Sequence, residues 1–266
     1  MRKKLSILIV ALVASMSIQS AMAWSSWGHH ISAYIAEKHL TPEAKGQCEH
    51  YLKHKLPHYS SWQDHWRHSD PFKEISFWHS SYVNKKYEVI GYKDDKTRDA
   101  AYQVDRIANE MYNGKYRNMS DSLVAVNLKL LIHMVGDMHC PSHIVYTKDF
   151  GLKGHSIYMK GKKVPRHSFW DRSPMYLHKK WNADRFVKAY DTYSPKQIKK
   201  ICKGDAYKWS VQNARSILET YSYWEKGAEY TKLSKETIQK MDDTIHEQLA
   251  YAGYRLAAIL NKIFSK

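Results

Sequence analysis

Apolar residues recur every three or four positions along most of the chain, a spacing that predicts helices. Thr41-Pro42-Glu43 reads as an N-cap, a first-turn proline and an early acid, opening a helix toward Leu52. The segment from about 97 to 112 has the same periodicity and stops at Asn113-Gly114. Ser120 to His139 predicts a long helix with Leu123, Val126, Leu130 and Val135 among its buried positions. It ends near Cys140, because Pro141 disfavours helical geometry in the residue before it. Further helices are expected at about 181–190, 194–202, 205–222 and 234–264. The one β signal is His155 to Pro165, where Ile157-Tyr158-Met159 and Lys163-Val164 flank Gly161-Lys162 as a small hairpin. No repeat, low-complexity tract or interdomain linker interrupts the pattern. The expected fold class is all-α: a single large helical domain with one small β-hairpin.

The first residues follow a different rule. Met1-Arg2-Lys3-Lys4 is positive, Leu5 to Met16 is mostly apolar, and Ala21-Met22-Ala23 offers small residues for cleavage. That is the pattern of a secretory signal peptide over residues 1–23. The apolar run falls short of the ~20 residues of a membrane span, so no stable membrane insertion is expected after cleavage. The mature chain would run from Trp24 to residue 266 as a secreted or periplasmic protein. Its net charge falls from +16 to +13 with loss of Arg2, Lys3 and Lys4. So basic a chain suits a polyanionic partner, whether nucleic acid, phospholipid or acidic glycan. Cys48, Cys140 and Cys202 allow one disulfide and a leftover thiol in an exported protein. No Cys-x-x-Cys is present, which excludes a cysteine zinc knuckle or a thioredoxin-like motif.

Chemistry enters with the histidines. His133 and Asp137 stand four apart on the long helix, hence on one face. His143 follows just after the break at Pro141, and His167 and Asp171 form a second pair with the same spacing. Imidazole with carboxylate is the donor mix that suits zinc. With 16 histidines and 15 aspartates in 266 residues, about one His-x-x-x-Asp would arise by chance. A lone pair would read as an ion pair on a helix surface; two pairs and a third histidine favour a metal site. His139, between them, reads as a supporting or helix-terminal residue.

In order along the chain, Trp24-Ser25-Ser26-Trp27-Gly28-His29, Ser61-Trp62-Gln63-Asp64-His65-Trp66-Arg67 and Phe77-Trp78-His79 precede His133-Met134-Val135-Gly136-Asp137-Met138-His139-Cys140-Pro141-Ser142-His143. His167-Ser168-Phe169-Trp170-Asp171 closes the set. The chain thereby resembles the zinc-dependent single-strand-specific nucleases of the S1/P1 type, typified by mould enzymes and plant bifunctional nucleases and related in fold to zinc-dependent phospholipase C. The resemblance implies three zinc ions: one on Asp64, His79, His133 and Asp137, and a second on His143, His167 and Asp171. The third would take the amine and carbonyl of Trp24 with His29, sharing Asp137. It implies hydrolysis of single-stranded DNA or RNA to 5′-phosphorylated products by zinc-activated water, with 3′-nucleotidase action as a side activity. Asp64 and Asp137 would serve catalysis as zinc ligands, and Arg67 would neutralise the scissile phosphate. A monomer is expected.

The chain departs from the family in three places. The run His79-Ser80-Ser81-Tyr82-Val83-Asn84 is two residues longer than usual, so either His79 remains the ligand or Ser81 takes its slot; we take His79, with Tyr82 as a base-stacking candidate. Cys140 and Ser142 stand where Gln and Leu are common, and Gly154-His155 where Gly-Asn is. The rival functions are a zinc-dependent phospholipase C and a non-catalytic basic protein that binds zinc and nucleic acid.

Overall fold

The computed structural model describes Trp24, residues 26–152 and residues 156–265. The signal-peptide segment and the Gly154-His155 position lie outside the described residues. In chain order the main elements are α1 (Ser26–Lys38), α2 (Pro42–Leu52), α3 (Trp62–Trp66), β1 (Ser81–Val83), α4 (Ala100–Met111) and α5 (Asp121–Asp137). There follow β2 (Ile144–Tyr146), β3 (Ser156–Met159), β4 (Lys162–Pro165), α6 (Arg166–Leu177), α7 (Ala183–Tyr190), α8 (Pro195–Ile201), α9 (Ala206–Leu218) and α10 (Lys235–Ile263). The fold is all-α with small β elements, as the periodicity predicts. No helix among the described residues is long and apolar enough to cross a membrane.

Side-chain caps set the helix starts. Thr41 Oγ1 accepts from Ala44 N at 3.2 Å, and Ser120 Oγ accepts from Leu123 N at 3.3 Å. Each satisfies a donor that the first helical turn leaves open. At the far end of α5, Cys140 N donates to Asp137 O at 2.9 Å, closing the helix just before Pro141. Leu123 corrects the expected core: it lies in the first turn and is 47 % exposed, while Val124, Leu128 and Leu131 are buried. Val126 is half-buried and packs on the rim of that core.

Among the described residues two large apolar clusters form the core, with a small third one of Val83, Ile144, Ala214 and Ile217 beside β1 and β2. One of the large clusters joins residues of α2, α4, α5 and the C-terminal part of α10. The other gathers Trp24, Phe169, Trp170, Trp224, Ile245 and Tyr254 around α6, α7 and the middle of α10. Helix α1 serves both, with Ala33 and Ala36 in the first and Ile31 and Ile35 in the second. Packed against α1, α2, α3, α4 and α10, α5 is fixed on most of its circumference.

The hairpin forms as β3 and β4, antiparallel, with Ile157 opposite Val164. Its turn is Lys160-Gly161, one residue earlier than expected, and both residues have positive φ (52° and 74°), as a two-residue type I′ turn requires. A second sheet was not expected. Strands β1 and β2 pair in parallel, Ser81 with Ile144 through Val83 with Tyr146. The pairing matters for function, because β1 begins two residues after His79 and β2 begins directly after His143.

Candidate metal centre

The β1–β2 pair brings two distant histidines side by side. Ser81 N donates to His143 O at 2.9 Å, and His143 Nδ1 meets His79 O at 2.7 Å. With Nδ1–H donated to that carbonyl, Nε2 of His143 is left without a partner and available to a metal. His133 on α5 follows the same rule: its Nδ1 meets Ser60 O at 2.7 Å, leaving Nε2 free to face inward. A carbonyl on one ring nitrogen and an open second nitrogen is the usual arrangement of a metal-binding histidine.

Asp137, the last residue of α5, is the hub. Its Oδ2 lies 2.8 Å from His79 Nδ1 and 3.3 Å from His133 Nε2; its Oδ1 lies 3.2 Å from His29 Nε2 on α1. His29 stacks on His133 with ring centroids 4.0 Å apart. Asp64, on the single turn of α3, closes the other side, 3.8 Å from His133 Nε2 and 4.0 Å from His79 Nδ1. Arg67 Nη1 stands 3.6 Å from Asp64 Oδ1, and the residue is 8 % exposed. On the far side, Asp171 of α6 lies 3.9 Å from His143 Nε2 through Oδ1 and 3.5 Å from His167 Nε2 through Oδ2.

The donor atoms themselves test whether a cation fits. His29 Nε2, both carboxylate oxygens of Asp64, His79 Nε2, His133 Nε2, Asp137 Oδ1, His143 Nε2 and His167 Nε2 are all buried without a hydrogen-bond partner. Buried polar atoms are almost always hydrogen-bonded, and a buried unpaired charge costs several kcal/mol. That many orphaned acceptors converging from six segments fit metal ions. Two groups, His29–His133–Asp137 and Asp64–His79–His133, have ligating atoms within 4.8 Å of one another. The electrostatics agree. Burial pushes the Asp171 carboxyl up to about 8 and the His143 imidazole down to about 3, so the imidazole is neutral with a lone pair open to a cation, and on Asp171 a cation would take the place of a proton.

The remaining candidates fall in distinct places. Trp24 is fully buried, against Gly28 of α1 and within the second core. Ser81 turns away from the cluster: its Oγ donates to Asp99 Oδ1 at 3.0 Å, while Asp99 also accepts from Tyr82 N and caps α4 through Ala101 N. Tyr82 is half-buried, its ring 5.6 Å from that of Tyr92, which in turn stacks on Phe77 at 5.5 Å. His139 points elsewhere, with Nδ1 on Val135 O and Nε2 accepting from Arg255 Nη1 at 2.8 Å. All three cysteines are free thiols.

Two further contributors carry no clear mark in the residue pattern. Arg255 is buried on α10 and, besides His139, donates to Asn213 Oδ1 and Gln212 Oε1. Asn213 Nδ2 in turn donates to Met138 O at 2.8 Å, so the turn after α5 is held from behind. Gly136 is the other: a Cβ there would lie 2.6 Å from His29 Nδ1 and 3.1 Å from Cε1. Its signal was a glycine inside a helix beside Asp137, a position that invites close approach of another element. Gly136→Ala is therefore expected to displace His29, a fully buried ring with no easy escape. The predicted result is less zinc per chain and a stability loss of about 1–3 kcal/mol, as overpacking usually costs. Metal analysis and denaturant unfolding check it; full zinc content in the folded variant would remove His29 from the centre.

A family model described as S1/P1 Nuclease matches residues 24–265. The chain is similar to Endonuclease 1 of Arabidopsis thaliana, 24 % identical over 97 % of this chain and 93 % of that protein. It is similar also to Nuclease S1 of Aspergillus oryzae, 23 % identical over 93 % of this chain and 94 % of the other. Nuclease P1 of Penicillium citrinum is 23 % identical over 90 % of this chain and 97 % of its own length.

Proposed function

The chain belongs to the S1/P1 nuclease family, and from that premise we propose an exported enzyme that cuts single-stranded DNA and RNA with three zinc ions and leaves 5′-phosphates. It is a zinc-dependent endonuclease, a hydrolase of phosphodiester bonds, and its substrate is nucleic acid. The observation that carries the reading is the convergence of three buried imidazoles on Asp137, with His29 Nε2, His133 Nε2 and Asp137 Oδ1 left without a hydrogen-bond partner and His79 Nδ1 bonded to Oδ2.

Asp64, His79, His133 and Asp137 would hold one zinc; His143, His167 and Asp171 a second; Trp24, His29 and the shared Asp137 a third. Zinc, when bound, supplies Lewis-acid charge that makes water nucleophilic near neutral pH and offsets charge gathering on phosphoryl oxygens. The chain's own residues supply the rest. Carbonyls at Ser60 and His79 orient the imidazoles of His133 and His143, so the donor set is preorganised. The Arg67 guanidinium, held near Asp64, offers fork-shaped donors to equatorial phosphate oxygens. Tyr82 would stack a base, a contact worth about 1–3 kcal/mol. The mature chain would be a monomer spanning residues 24–266, and the family match beginning at residue 24 supports cleavage after Ala23. Family membership favours nucleic acid over phospholipid, and an enzyme over a passive binder.

The deciding assay is hydrolysis of single-stranded DNA and RNA by protein beginning at Trp24. Activity should vanish with chelator, return with zinc, weaken with salt as the basic charge is screened, and release 5′-phosphorylated fragments. A zinc-replete protein with no turnover on either strand would sink the proposal, and 3′-phosphorylated products would sink its mechanism. A 3′-mononucleotide in the same assay reads the side activity.

A further inference from the structure

Cys140 has no role in the assignment above, yet it faces the same carboxylate as the second set of ligands. It sits in the turn that ends α5: its N–H bonds to Asp137 O, and its carbonyl accepts from His143 N, both at 2.9 Å. That turn aims Cys140, Ser142 and His143 together at Asp171 of α6. The Sγ is fully buried, 3.7 Å from Asp171 Oδ1 and 3.0 Å from Ser142 Oγ. Ser142 Oγ donates to the same Oδ1 at 2.7 Å. His143, 2 % exposed, brings its unpartnered Nε2 to 3.9 Å from that oxygen. Sulfur, imidazole nitrogen and carboxylate oxygen lie within 4.8 Å of one another. In a tetrahedral zinc site with bonds of about 2.3 Å to sulfur and 2.0 Å to nitrogen or oxygen, ligand atoms stand roughly 3.3–3.6 Å apart. The triad needs only a small contraction to reach that size. His167, by contrast, approaches the opposite oxygen, Oδ2, from a side chain 39 % exposed.

We propose that Cys140 is a ligand of the zinc held by His143 and Asp171, making this a sulfur-containing site with His167 as its outer, exposed member. The inference rests on the zinc-nuclease reading and deepens it. On binding, the S–H bond breaks, its proton passes to solvent and the sulfur pair forms the bond to zinc; no oxidation is involved. A thiolate makes the site soft, selecting zinc or cadmium over magnesium or manganese. Four protein ligands also close a tetrahedral position, so this ion is the one held most firmly and the last removed by chelator.

Cobalt reads the sulfur directly. Mature protein stripped of zinc and reloaded with Co2+ should show visible d–d bands and a near-ultraviolet sulfur-to-cobalt charge-transfer band. In Cys140→Ser the visible bands should remain and the near-ultraviolet band should disappear. Cys48 in α2 and Cys202 at the end of α8 stay in that variant as internal controls. Visible bands without the charge-transfer band in the unmodified protein overturn the proposal while leaving the metal centre standing; a band that survives in Cys140→Ser also overturns it. Absence of both bands overturns it together with the zinc reading. If Cys140→Ser does not fold, X-ray absorption of the zinc-loaded natural protein decides. A sulfur shell at about 2.3 Å supports the ligand, and only nitrogen and oxygen at about 2.0–2.1 Å overturns it.

Discussion

Asp137→Asn is expected to lower kcat/KM by about 10³-fold or more, equivalent to roughly 4 kcal/mol of transition-state stabilisation, and to lower bound zinc. Asp137 is fully buried and touches three imidazoles, those of His29, His79 and His133, with its two oxygens. Burial works against its charge, yet His133, His79 and His143 outweigh that and hold the carboxyl well below the usual carboxylate range. The carboxylate is thus anionic, as a metal ligand at this position would be. Asparagine keeps the volume but loses the charge, and its NH2 directs protons at one side of the cluster. The basic surface is untouched, so salt-sensitive binding of single-stranded nucleic acid should persist while turnover is lost. Steady-state kinetics, zinc per chain and a binding titration separate the two effects. A variant with full zinc and activity within tenfold of the natural enzyme would remove Asp137 from the centre.

What the amino-acid sequence discloses of this centre, and what it hides, divides along local and long-range lines. The pairs His133/Asp137 and His167/Asp171 are local, and helical spacing alone puts each on one face. The helix boundaries at Thr41, Ser120 and Pro141 are likewise written in capping and breaking residues, so α2 and α5 follow from short windows. Strands β1 and β2 escape because each has three residues, too few for a two-residue period, and each finds its partner about sixty positions away. Their pairing is what sets His79 beside His143, so that proximity could enter only through family resemblance. Helix α1 escaped for the opposite reason. It buries Gly28, His29, Ser32 and Glu37 along with its apolar residues, so no polar face marks it. Leu123 shows the complementary error, an apolar residue in a periodic run whose helical turn projects beyond the core. Arg255 could not be foreseen at all, since its buried charge is met by His139, Asn213, Gln212 and the Ile201 carbonyl, all remote from it in the chain.

A mature enzyme that keeps even one residue before Trp24 is expected to lose one zinc and on the order of 10²-fold in activity. The α-amino group of Trp24 could donate to a metal only when unprotonated. Its ordinary pKa of about 7.7–8.0 is low enough for a neighbouring cation to remove the proton near neutral pH. An added residue converts that amine to an amide, whose nitrogen is no longer a basic donor. The setting around it is closely packed. Trp24 is fully buried, and a Cβ on Gly28 would lie 2.8 Å from the Cβ, Cδ2 and Cε3 of the Trp24 side chain. One turn of α1 thus clamps the tryptophan, and the next residue, His29, reaches Asp137 at 3.2 Å. Signal-peptide cleavage would then be an activation step, keeping the nuclease incomplete until it leaves the compartment that holds the cell's own nucleic acid. The test compares protein with one extra residue before Trp24 against the same preparation after proteolytic removal of that residue. Zinc content and activity should rise together on removal. Equal zinc and equal activity in both forms would leave Trp24 as a buried anchor and give export no part in activation.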